Sequence, residues 1–338
     1  MAKQKRKINI FFVHSALQSF VKKDLDILKE FYFVRELNNY RKTFRNLFKI
    51  LSYVYWSDCI YCWFAGPHSF LPVLIAKLLR KKIVVYAGGY DVAFEPEFSY
   101  GLFASSFKKW CPFLILKMAT QVLTPSNNTK KEALDHANLK KDKIKTIYLG
   151  FRVSEYSLTK NQEKKNIILT ISGVWQENIV RKGLYLFVKS ASFFPDVPFV
   201  LVGKWQDKSI NYLKSIASPN VTFTDFISDR ELNNYLYQAK VYVQVSKHEG
   251  FGCSLAEAML CECIPVVSRK AAIPEVVGEC GIYVDKLEVE EVAKKIKEAI
   301  ETTSPLGRKA RERIIAKFPL EKRNQQLINT MNKVAIEI

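Results

Sequence analysis

The chain has 338 residues, 48% hydrophobic and 25% charged, which suits two globular domains and excludes a disordered or fibrous chain. No apolar run approaches the roughly 20 residues that span a bilayer, and seven irregularly spaced cysteines exclude a disulfide framework. The formal charge of +19 is uneven, +14 over residues 1–150 and +5 over the rest, so the first half attracts anions: lipid headgroups, phosphorylated substrates or nucleic acid.

The start, MAKQKRKINIFFVHSAL, sets basic residues before apolar ones as a signal peptide does. Its apolar run, INIFFV, is only about one strand long and is followed by His14, so it reads as a first β-strand in a cytoplasmic protein. Further strands are expected at 31–34, 59–64, 83–87, 121–124 and 145–148, and then at 166–172, 199–203, 221–225, 241–245, 264–267 and 281–285. Most are nearly continuous apolar runs, as parallel strands covered on both faces are. Cys59 and Cys62 form a C-x2-C inside one of them. Two further ligands would be needed for a zinc site and no second C-x2-C exists, so they read as core.

Amphipathic helical patterns fall between the strands at 128–137, 183–194, 229–239 and 288–301, with two more at 305–317 and 319–335 split by Pro319. Strand–helix alternation occurring once per half predicts an α/β protein with two parallel sheets. The segment 150–166 is polar and aperiodic and reads as a linker. Domains are therefore expected over 1–155 and 156–318, with 319–338 as a helix packing back toward the amino-terminal domain. The expected ligand site is a cleft at the carboxyl ends of the strands.

The segment KHEGFGCSLAE, 247–257, joins a strand to a helix through a glycine turn and carries Glu249 before the turn and Glu257 after it. One reading is local: SLAE matches the capping box S-x-x-E, and Glu249 is a loop carboxylate. The other is functional. Glycines let backbone approach a ligand, the first amides of the helix lie at its positive end and can hold a phosphate, and the two carboxylates flank that site. A nucleotide sugar, with hydroxyls at both ends of a diphosphate, fits such a site.

The stretch EGFGCSLAEAMLCECIPVVSRKAAIPEVV resembles the glutamate–seven residues–glutamate motif of retaining glycosyltransferases of family four, the glycosyl transferases group 1. The segments SGVWQENIVRKGLYLFVKSASFFPDVPFVLVGKW, VTFTDFISDRELNNYLYQAKVYVQVSKHEGFG, VLTPSNNTKKEAL and KIKTIYLGF are similar to neighbouring parts of that family, over roughly residues 120 to 285. The resemblance implies the GT-B fold, two Rossmann-like domains with parallel sheets facing a central cleft. It implies a retaining transfer of a sugar from a nucleotide-sugar donor, UDP- or GDP-sugar, to a glycan or lipid-linked acceptor, as in cell-surface polysaccharide or glycolipid synthesis. Glu257 would bond the ribose and Glu249 the transferred sugar. The amides of Gly250, Phe251, Gly252, Cys253 and Ser254 would face sugar and diphosphate. Arg181 and Lys182 would neutralise the diphosphate, although two solvated charges before a helix are the local alternative. The base would lie near Lys204, Phe226 and Ile227. No tightly bound cofactor or metal is expected, because basic side chains and the helix end do a cation's work.

The family's amino-terminal half commonly carries H-G-x-D after a strand; here YAGGYDV puts Gly88 in the histidine's place, followed by Gly89, Tyr90 and Asp91. Asp91 becomes the candidate acceptor-facing acid or base, with a turn-capping carboxylate as its alternative. His14 and His68, just past strand ends, are cleft candidates. The stretch 99–119 mixes aromatics, leucines and lysines and reads either as a core helix or as a surface entering a membrane interface. An anionic membrane surface is thus an expected partner, with cytoplasmic, peripheral location, and no nucleic-acid motif accompanies the charge. The alternative functions are a sugar-nucleotide epimerase or phosphorylase of the same architecture, and a catalytically weak nucleotide-sugar-binding protein.

Overall fold

The structure, a computed structural model, describes residues 8–38, 45–156 and 164–336. It divides into two compact units, residues 1–150 with 320–338 and residues 151–319.

Unit 1 contains β1 (Asn9–His14), α1 (Ser19–Phe31), β2 (Phe33–Asn38), α2 (Leu47–Trp56), β3 (Cys59–Trp63), α3 (Pro67–Leu78), β4 (Lys82–Tyr86), α4 (Trp110–Met118), β5 (Gln121–Thr124), α5 (Asn127–Ala137) and β6 (Ile144–Thr146). Its six strands pair in the order β2-β1-β3-β4-β5-β6, all parallel. The sidedness follows from composition: every residue of β3 is buried, which a strand covered on both faces requires. Cys59 and Cys62 lie in that strand as fully buried thiols, pushed up by burial, Cys62 to about 12.

Unit 2 contains β7 (Lys165–Ile171), α6 (Gln176–Arg181), α7 (Leu184–Ser190), β8 (Phe199–Val202), α8 (Ser209–Ser215), β9 (Val221–Phe223), α9 (Asp229–Gln238), β10 (Ala239–Gln244), α10 (Cys253–Leu260), β11 (Ile264–Ser268), α11 (Ile273–Val277), β12 (Ile282–Val284), α12 (Val289–Glu301) and α13 (Leu306–Lys317). The strand order is β12-β11-β10-β7-β8-β9, again all parallel. In sequence terms this is the 3-2-1-4-5-6 order of dinucleotide-binding sheets, whose order reverses between the first and fourth strands. That switch point lies between β7 and β10. Helix α9 starts on a full capping box in which Ser228 and Glu231 satisfy each other's backbone amides.

The last helix, α14 (Leu320–Ile336), belongs to unit 1. Arg323 on it bonds both carboxylate oxygens of Asp24 on α1, at 2.9 and 2.7 Å. Asp24 also accepts the hydroxyl of Tyr61 and the indole N–H of Trp63. An ion pair this deep is held because every donor it faces is used.

Two strand expectations are corrected in register. The strand expected at 31–34 begins at Phe33 and runs to Asn38, because Asn9 pairs with Phe33 and His14 with Asn38 while Phe31 closes α1. The strand expected at 145–148 is Ile144–Thr146, aligned on Val122 and Thr124 of β5. Within the expected linker, Val153–Tyr156 forms a 3-10 turn and Phe151 bridges to Pro319; residues 157–163 lie outside the described residues.

Candidate active site

The carboxyl ends of β7 and β10 carry the loops that the order reversal separates. The loop after β10 holds the glutamate turn. The segment after β7 runs through Ser172 and Gly173 into α6, which ends at Arg181, with Lys182 following. The two loops are tied together at this point. The Lys247 amide donates to the Arg181 carbonyl at 2.7 Å, and the Arg181 guanidinium donates to the His248 carbonyl at 3.3 Å. Asn178, one turn earlier on α6, accepts from Arg181 and donates to the Gly173 carbonyl at 2.8 Å.

Glu249 is 6% exposed, and its Oε1 accepts from Lys182, from Ser246 at 2.8 Å and from Gln244 at 3.2 Å. Burial pushes this carboxyl up, but the charges of Lys182 and Arg181 and the Lys182 and Ser246 hydrogen bonds outweigh it and hold it below the usual range. Burial lowers the Lys182 ammonium, with the Glu249 charge acting against it. Two cations and one carboxylate in a low-dielectric pocket leave a local positive excess, which an anion would relieve. Arg181 is 5% exposed and its named bonds go to Asn178 and His248. Its guanidinium thus braces the loop after β10 from α6, and its burial excludes the solvated-charge alternative.

The local reading of SLAE fails on geometry. Helix α10 starts at Cys253 with Gly252 as its N-cap, so Ser254 already lies inside the helix and no side chain caps that end. Gly252 has φ +99°, a conformation that L side chains rarely adopt, and a Cβ there would stand 3.2 Å from the Gln244 amide nitrogen. Glu257 is hydrogen-bonded by the hydroxyl of Tyr156, whose ionisation burial and the Glu257 charge both raise. Phe251 is buried between Phe151 and Phe318, at centroid distances of 6.0 and 5.3 Å, and its side chain is core. On the other side of the switch point, Gly183 at φ +68° brings the start of α7 onto β10's end; a Cβ there would meet Val245 at 2.7 Å.

Beyond β8 and β9, Lys204 and Phe226 are exposed, Phe226 by 78%, and Ile227 is partly buried. Asp225, at φ +61°, accepts the Trp205 amide at 2.9 Å and shapes the turn that carries them.

The unit 1 candidates are held differently. Asp91 is 1% exposed, and its oxygens accept the amides of Ala65 at 2.8 Å and Gly89 at 2.9 Å. It stitches the loops after β3 and β4 together with both oxygens turned to backbone amides, as its turn-capping alternative expects. Burial pushes its carboxyl up to about 6 against these amides. His14, 1% exposed, faces Glu36 of β2 at 3.1 Å, and His68 is set against the Trp63 carbonyl at 2.8 Å. Both are seated in pairing within unit 1. Gly88 has a reason to be glycine: a Cβ there would fall 2.1 Å from the Phe64 ring, so that ring fills the place a side chain would take. Gly89, at φ +130°, turns the loop.

Sequence reasoning missed Asn178, Gln244, Ser246 and Tyr156. The i, i+3 spacings of Asn178 to Arg181 and of Ser246 to Glu249 carried that signal; Tyr156 was too far along the chain from Glu257 to pair by spacing.

With this geometry in view, residues 165–302 match the family model described as Glycosyl transferases group 1. Among curated proteins, the O-antigen chain mannosyltransferase B of Escherichia coli is 26% identical over 56% of this chain and 54% of its own. The O-antigen chain mannosyltransferase RfbU of Salmonella typhimurium is 26% identical over 50% of this chain and 48% of its own. The matches thus span about half the length of these relatives. Among solved structures, Anabaena Alr3699/HepE in complex with UDP and glucose superposes with a TM-score of 0.78 over 96% of this chain and 100% of that one, at 17% identity. A glycosyltransferase from Rickettsia africae superposes with a TM-score of 0.77 over 98% and 100%, at 19% identity. The fold is GT-B.

Proposed function

We propose that this chain, a GT-B protein whose residues 165–302 match glycosyl transferases group 1, moves a sugar from a nucleotide-sugar donor to a glycan or lipid-linked acceptor with retention of configuration. The observation that carries this reading is the Lys182–Glu249 pair at the switch point of unit 2, set beside a helix start without a side-chain cap.

The donor diphosphate takes the positive excess. Lys182 and the first amides of α10 stabilise the charge that grows on it as the glycosidic bond breaks, and Arg181 adds field from behind. The same charges make a bound metal unnecessary. Glu249 accepts a hydroxyl of the transferred sugar, and its contact with Lys182 couples sugar and phosphate positioning. Glu257, held by Tyr156, accepts the ribose hydroxyls. Retention follows from attack on the face that the diphosphate leaves, with the departing phosphate taking the acceptor's proton. The names of the O-antigen relatives support mannose as the sugar, and the UDP bound by the Anabaena protein supports a nucleoside diphosphate as the handle.

Calorimetric titration of the protein with UDP-, GDP-, ADP- and CDP-sugars, without added metal, tests this. One donor class is expected to bind and to be turned over in the presence of a glycan or lipid-linked acceptor. Binding by none of them would overturn the reading.

A further inference from the structure

The amino-terminal unit carries one surface that the donor site leaves unused. Around α4, Phe107, Trp110, Phe113 and Leu114 are exposed, Phe107 by 80%. Two apolar cavities of about 290 and 480 Å³ flank Trp110, which lines both. Lys108 stands at the first and Lys109 at the second. Lys117, one turn beyond Phe113, lies 5.5 Å from that ring's centroid. Helix α4 packs on α3, and Phe70 of α3 meets Trp110 edge-on at 5.4 Å, so the aromatics are fixed in place.

The segments that carry α3 and α4 have charge of one sign, whereas Glu95, Glu132 and Asp135 lie next to Phe94 and His136 at the far side of the second cavity. No acidic residue occurs between Glu97 and Glu132, nor between Asp58 and Asp91, while these stretches supply Lys77, Arg80, Lys81, Lys82, Lys108, Lys109, Lys117, Lys130 and Lys131. Lys143 sits near Lys77 and Lys117; burial and their repulsion bring it down to about 8, with Asp142 acting the other way. Exposed rings beside lysine ammonium groups meet two requirements of an interfacial surface: apolar atoms that leave water, and cations that reach phosphate depth.

We propose that this face docks on an anionic lipid bilayer, with Phe107 and Trp110 entering the acyl boundary, the cavities beside Trp110 receiving acyl chains, and Lys108, Lys109 and Lys117 on headgroup phosphates. The charge decides the occupant. A second copy would bring an identical positive face and be repelled, whereas an anionic leaflet is attracted by each lysine near it. The inference stands apart from the transfer reaction, since docking requires neither donor nor acceptor.

Vesicle flotation of the full chain at low salt tests it, with phosphatidylcholine alone against phosphatidylcholine containing phosphatidylglycerol. Binding is expected to the anionic vesicles, to be at least about tenfold weaker on the neutral ones, and to fall as salt is raised. Lys108→Glu with Lys109→Glu is expected to weaken it roughly twentyfold or more, at about fivefold per lysine. Phe107→Asp is expected to weaken it by about tenfold, with unchanged thermal unfolding because the ring is on the surface. Lys297→Glu on α12 of unit 2 serves as control and is expected to bind as the parent does. Absence of binding at low salt, equal binding to neutral vesicles, or full binding by Phe107→Asp would each overturn the proposal. So would a concentration-dependent dimer that Phe107→Asp abolishes without any vesicle binding, which would assign the face to a second copy.

Discussion

Glu257 illustrates how a residue with two readings is decided by its surroundings. Ser254 was the residue that would have made it a capping-box partner, and Ser254 lies two positions past the N-cap Gly252, inside α10. With that role gone, Tyr156 remains its hydrogen-bond partner, at a helix start suited to a phosphate. Glu257→Ala is expected to weaken nucleoside diphosphate binding by roughly ten- to a hundredfold, the loss of hydrogen bonds to a charged group. Calorimetry reads it, and unchanged affinity would remove Glu257 from the ribose. Asp91 supplies a second test through pH. Its folded pKa of about 6 lies above the ordinary 3.8, so the folded state binds the proton more tightly. That contribution to stability is fully present below the unfolded value and is lost as pH rises through about 6. Asp91→Asn cannot titrate. The stability of the parent relative to this variant is expected to fall between pH 4 and 7, by up to roughly 3 kcal/mol. Urea unfolding at both pH values measures this, and a flat difference would mean that the backbone amides balance burial.

Among the elements, α14 carries a buried ion pair to α1. Its Arg323 donates to Asp24, to the Tyr148 carbonyl at 2.8 Å and to the Ile147 carbonyl at 3.1 Å, so one side chain ties the helix to α1 and to the segment after β6. Arg323→Ala leaves the Asp24 carboxylate buried without its charge partner and is expected to cost about 3–5 kcal/mol. The double variant Asp24→Leu with Arg323→Met, which removes both charges, is expected to be more stable than Arg323→Ala alone. Denaturant midpoints decide this; a double variant no better than the single one would mean that the hydrogen bonds, rather than the unpaired charge, carry the cost. The loop after β10 is an element of another kind. It is shaped by Gly252, tied within itself by Ser246 and Glu249, and held from outside by Arg181 of α6.

At the scale of the whole molecule, each unit has its own apolar core, one around β1, β3 and β4 and one around β7, β8 and β10. Two calorimetric unfolding transitions are expected, assigned by Ile115→Ala in unit 1 and Leu213→Ala in unit 2. A nucleotide sugar at about a hundred times its dissociation constant is expected to stabilise the transition assigned to unit 2 by about 2.7 kcal/mol. Stabilisation confined to unit 1 would contradict a donor site on the glutamate turn. No helix among the described residues is long and apolar enough to cross a membrane.

The sequence by itself determined the alternation of strands and helices, because continuous apolar runs and 3.6-residue periodicity are local properties written residue by residue. It also determined the glutamate turn, since Glu249, Gly250, Gly252 and Glu257 lie within one strand–turn–helix unit. Only the tertiary structure decided what depends on partners distant in the chain. Asn178, Gln244 and Ser246 enter the network around Arg181 and Glu249 because parallel pairing sets β7 beside β10. Gly88 is explained by the ring of Phe64, and Asp91 by the amides of Ala65 and Gly89, contacts that form when β3 and β4 align. A side chain's chemistry is carried in the sequence, whereas its desolvation and its partners exist only after the chain has packed.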